Sequence, residues 1–79
     1  MKTTKWRVII ADMPHREDLL AEIWIDDEQF GEVYFREGEP IIEVYPHRIT
    51  SDWRFDYEIV RDILNKVDEF IKSMKSNPE

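Results

Sequence analysis

The chain has 79 residues, no cysteine and a formal charge of −7, from 18 acidic against 11 basic residues. That length allows a single domain with a marginal core, and the absence of thiols excludes disulfides, thiolate zinc sites and thiol catalysis. The acidic field repels nucleic acid and anionic membranes and favours basic partners, although the same charge also keeps a small protein soluble.

The chain starts with a basic flavour, Met1-Lys2-Thr3-Thr4-Lys5, but only Val8-Ile9-Ile10-Ala11 follows as an apolar run. That run is too short for a secretory signal or a membrane span. The expectation is a soluble, cytoplasmic protein forming one domain over residues 1–79.

Residues 6–11 are a β-branched run of strand length, ended by Asp12-Met13-Pro14. Residues 19–26 alternate with period two and form a second strand with two distinct faces. Asp27-Glu28-Gln29 reads as a connection, and residues 30–36 alternate again. Glu37-Gly38-Glu39-Pro40 reads as a turn before a fourth strand over 41–45. From Val60 the period changes: Val60, Ile63, Leu64, Val67, Phe70, Ile71 and Met74 recur at three and four. Asp56 is the natural N-cap and Phe55 a hydrophobic staple onto Val60. Asp62–Lys66 and Asp68–Lys72 have helical salt-bridge spacing. The helix is expected over about 57–75, with a frayed tail over 76–79.

Short connections favour sequential antiparallel neighbours. The fold expected is therefore α+β, a four-stranded antiparallel β-meander with one C-terminal helix packed on one face. Leu19, Ala21, Ile23, Ile25, Val33, Phe35, Ile42 and Val44 share the face the helix must cover. The opposite face carries aromatics among carboxylates and includes Phe30 and Ile41. With loops at 27–29 and 37–40, Trp24, Glu32 and Tyr45 fall in one row and Glu22, Tyr34 and Glu43 in the next. Such a checkerboard suits partner binding, because Trp and Tyr anchor interfaces and carboxylates select Arg or Lys. Cross-strand pairing for sheet stability alone, or closure of a homodimer, would use the same residues.

Pro-His-Arg occurs twice, at 14–16 and 46–48, with acidic or hydroxyl residues nearby. His15 and His47 are candidate metal ligands or acid–base groups. The meander places the two loops at opposite ends of the sheet, so they form no joint site. Ser51 and Asp52 beside His47 lack a glycine-bearing elbow and read as turn chemistry. Gly31 and Gly38 are the only glycines, so there is no phosphate-cradling loop. The arginines do not cluster, which disfavours nucleic acid. Trp53 is expected to plug the lower edge of the sheet.

The segment Trp6-Arg7-Val8-Ile9-Ile10-Ala11-Asp12-Met13-Pro14, with Arg16-Glu17-Asp18-Leu19 and Glu43-Val44-Tyr45-Pro46, resembles a type of short acidic bacterial protein of unassigned function. The make-up is also similar to that of small acidic immunity proteins, which neutralise bacterial toxins. The resemblance implies an inhibitor that occludes its target, and it assigns no residue a role. The combined expectation is a non-enzymatic domain without cofactor or metal. It binds a basic protein through Glu22, Trp24, Glu32, Tyr34, Glu43 and Tyr45. The alternatives are a homodimer through that face and a small metal-dependent enzyme at a histidine loop.

Overall fold

A computed structural model describes residues 4–12 and 19–75. It contains β1 (Trp6–Asp12), β2 (Leu19–Ile25), β3 (Glu28–Arg36), β4 (Glu39–Val44) and α1 (Tyr57–Lys75). The strands form one antiparallel sheet in chain order. This is the expected α+β meander with a C-terminal helix. The proposed tail at 76–79, the loop carrying His15 and the first three residues lie outside the described residues.

The helix stripe explains the architecture. Ile63, Val67 and Phe70 are buried against Ala21, Ile23, Ile25 and Val33, with Trp6, Val8, Phe35, Ile59 and Met74 packed around them. Ile23 and Ala21 have no solvent exposure. The helix approaches β1 and β2 most closely, so it covers one side of the sheet and leaves the β4 side of the same face partly open. Ile42 and Val44 belong to the core-facing set by register, yet each is about half exposed. At the helix start the Ile59 amide donates to the Asp56 carbonyl at 3.0 Å. Phe55 meets the rings of Phe30 and Trp53, at 5.8 and 6.2 Å between centroids. On the helix surface Lys66 Nζ lies 3.5 Å from Glu69 Oε1.

Two features correct the expected register. Both hairpins close through two residues, Asp26-Asp27 and Glu37-Gly38, rather than three and four. In the second, Glu37 and Gly38 both take positive φ, 54° and 82°. That is the type I′ pattern, whose twist matches the flanking strands. A register shift also occurs between Ile23 and Trp24, where Gly31 faces Ile23 but Gln29 faces Trp24. Phe30 is the extra residue of this bulge. Its side chain joins the helix side with Trp53 and Phe55 instead of the open face.

Glu37 is a poor residue for a left-handed conformation, whereas asparagine tolerates it. Glu37→Asn is expected to raise the unfolding free energy by about 1 kcal/mol, read as a higher urea midpoint with unchanged slope. A lower midpoint would mean that the Glu37 side chain makes a stabilising contact in this turn.

Candidate functional site

The face away from the helix is not the expected checkerboard. Glu22 stands opposite Glu32, and Glu32 opposite Glu43, so three carboxylates form one row across β2, β3 and β4. Trp24 faces Gln29 and Tyr34 faces Ile41, which replaces the expected Trp24–Glu32 and Tyr34–Glu43 pairs. The two-residue turns and the Phe30 bulge cause the change, since each alters how many residues separate a side chain from its turn. Directly opposed like charges destabilise a sheet.

Each carboxylate in the row has an aromatic donor. Trp24 Nε1 donates to Glu22 Oε1 at 3.1 Å, and the Tyr34 hydroxyl donates to Glu43 Oε1 at 3.3 Å. The Tyr45 hydroxyl donates to Glu32. Arginines close both sides. Arg36 Nη2 donates to the Tyr34 hydroxyl at 3.4 Å, and the Arg7 guanidinium lies 5.3 Å from the Trp24 ring centroid. The aromatic–acid mixture therefore spreads charge that would otherwise repel within the sheet.

The six residues differ in accessibility. Glu43 is exposed, while Glu22, Trp24, Glu32 and Tyr45 are partly buried. Tyr34 is only 8 % exposed and Leu20, on the same face, 3 %. Tyr34 thus orients Glu43 rather than standing free as an anchor. Arg36 falls on this face by the alternation of residues 30–36, whereas Arg7 lies on β1 outside that list and is brought in by its register opposite Trp24.

The Tyr45 phenol is pushed up to about 12. Burial is the main cause, followed by the hydrogen bond to Glu32, then the charges of Glu32 and Glu43 and the neighbouring Tyr34. An unfolded tyrosine titrates near about 10, so on raising the pH the unfolded chain releases this proton before the folded one. The associated stability is complete below about pH 10 and is lost as the pH rises toward about 12. Phenolate absorbance of the parent minus that of Tyr45→Phe isolates this titration. In Glu32→Gln it should move down toward the ordinary tyrosine value, and an unmoved midpoint would remove Glu32 as a cause.

A second constellation lies at the end of the sheet where β2 meets β3. His47 Nδ1 accepts from the amides of Ile49 and Thr50, at 3.1 and 3.3 Å. Its ring stands edge-on to Trp53, 4.7 Å between centroids. Glu28 accepts from the Arg48 amide at 2.9 Å, with Arg48 Nε at 3.6 Å and His47 Nε2 at 4.0 Å. Trp53 Nε1 donates to the Tyr45 carbonyl at 2.8 Å, and its ring packs on Phe30 at 5.2 Å. Trp53 thus plugs this end of the core. A cleft of about 590 Å³ opens here beside Asp26, Asp27, Arg48 and Asp52. His47 is engaged in turning its own loop, which accounts for its position next to Ser51 and Asp52. Among the described residues no group of three or more His, Asp or Glu side chains converges to hold a metal ion. No described helix is long and apolar enough to cross a membrane.

Comparison with protein-family models, curated proteins and solved structures found no match.

Proposed function

We propose that this domain binds a basic protein partner through the acid–aromatic face of its sheet and catalyses no reaction. The observation that carries the reading is the Glu22–Glu32–Glu43 row, like charges set directly opposite one another on a face the helix does not cover. An Arg or Lys from a partner would turn that repulsion into charge-assisted hydrogen bonds, with Arg able to bridge two carboxylates. Trp24 and Tyr45 stand beside the row as part-buried rings, the type of side chain that anchors interfaces. If the partner is a toxin, as the likeness to immunity proteins suggests, the mechanism is occlusion of the cations it uses on its substrate. Joining two copies through this face would oppose two acidic rows, so charge disfavours the homodimer.

The test is titration with an arginine-rich peptide, followed by NMR at the Trp24 indole N–H. Wild type should shift in a salt-sensitive manner. Glu22→Gln/Glu32→Gln keeps an acceptor for Trp24 and should fold at least as stably, yet bind the peptide about tenfold more weakly, equivalent to ~1.4 kcal/mol. Equal binding by that variant would sink the proposal.

A further inference from the structure

The outer edge of β4 combines three properties found together nowhere else among the described residues. It is an unpartnered sheet edge, since β4 ends the strand order. The Tyr45 amide donates to the Phe30 carbonyl at 2.9 Å. The alternation of an antiparallel ladder then turns the amides and carbonyls of Ile42 and Val44 away from β3. Beneath this edge runs an apolar groove of about 320 Å³ between β4 and α1, lined by Val33, Pro40, Ile42, Leu64, Val67 and Ile71. Ile42, Val44 and Leu64 are 47 %, 52 % and 47 % exposed. Above the edge, on the open face, stands the exposed Glu43 at the end of the carboxylate row.

We propose that β4 accepts an extended segment of the partner as a fifth strand, with apolar and basic residues alternating along it. Paired residues on neighbouring strands share a face. Partner residues opposite Ile42 and Val44 would therefore lie over the groove and Leu64, and those between them beside Glu43. The outward amides and carbonyls of Ile42 and Val44 supply the main-chain bonds of strand addition, and the two faces supply the side-chain code. Charge selects the occupant. β4 carries Glu39 and Glu43 and no basic residue, and Asp68 borders the groove. A second copy of β4 would bring acids to acids, whereas a segment with Lys or Arg at every other position complements them. Pro40 has no amide to offer and marks one end of the addition site. This inference rests on the reading that the partner is basic, and it specifies the shape in which that partner binds.

The probe is a short synthetic peptide alternating arginine and valine, compared with the same peptide N-methylated at every other amide. The expected result is a shift of the Ile42 and Val44 amides in NMR, with binding lost for the methylated set that would face β4 and kept for the other. Ile42→Pro removes an outward donor and no ladder bond, and should weaken binding about tenfold at unchanged circular dichroism. Leu64→Glu, on the exposed helix surface, should weaken it similarly and keeps the test intact if the proline variant misfolds. Shifts confined to Trp24 and Glu32, with full binding by Ile42→Pro and Leu64→Glu, would overturn strand addition and leave the open-face reading standing. Edge binding that ignores Glu22→Gln/Glu32→Gln would support strand addition and count against the open-face reading. Failure of the alternating peptide to bind, or concentration-dependent self-association that protects the Ile42 amide, overturns the inference.

Discussion

Ile23→Ala is expected to lower the unfolding free energy by about 2–5 kcal/mol, the range for emptying a buried aliphatic site. Ile23 lies within the core cluster between sheet and helix, with no exposed surface. Two costs add: the apolar area returned to water and the cavity left behind. The expected stability for a chain of this length is only about 4–12 kcal/mol, so the variant should be near the point of unfolding. Leu64→Ala is the control, because Leu64 lies on the helix that covers Ile23 but is itself half exposed. Denaturant midpoints decide the matter. A loss at Ile23 no larger than that at Leu64 would mean the helix does not pack on the sheet at this point.

Gly31→Val should be comparably severe for an opposite reason. A Cβ added at Gly31 would run into the Glu43 carbonyl oxygen and come within 3.1 Å of the Val44 Cα. Both are backbone atoms of β4, so relief requires the strand to move rather than a side chain to turn. A cost of about 3 kcal/mol, the upper part of the overpacking range, is expected. Because the clash falls at the bulge, the damage should be local. Amide exchange should accelerate at Glu32 and Glu43 before it does at the β1–β2 pairs. Uniform acceleration would show that β4 is not a separable unit. Gly31→Ala, which adds only the clashing atom, should produce the same pattern with a smaller loss.

The hydrophobic periods of the chain carry most of this fold. Alternation over 19–26 and the three-four spacing after Val60 located β2 and α1 to within a residue, because one face of each must leave water. Register was less legible. Glu37-Gly38 is a type I′ turn with glutamate where asparagine or aspartate would advertise one, and Pro40 sits inside β4 where it looks like a strand start. The Phe30 bulge has no sequence mark beyond the neighbouring Gly31, yet it turns Phe30 to the helix side, where it packs against the core. The carboxylate row could not be read from composition either. Local pairing rules disfavour it, and it exists because Trp24, Tyr34 and Tyr45 each donate to one of its members. Apart from Phe30, which the bulge turns to the helix side, the membership of the face was legible and its geometry was not, because membership follows from parity while geometry follows from turn length.

Strand order equal to chain order also sets how the molecule assembles in time. Two-residue turns join β2 to β3 and β3 to β4, so these ladders close over short loops. The helix, by contrast, must return across the whole sheet to meet β1, where Phe70 lines a hollow with Val8. Loop-closure entropy delays such distant contacts. Lesions in the Glu37-Gly38 turn should therefore slow refolding, while Phe70→Leu should chiefly hasten unfolding. The reverse partition of rates would place helix docking ahead of the meander.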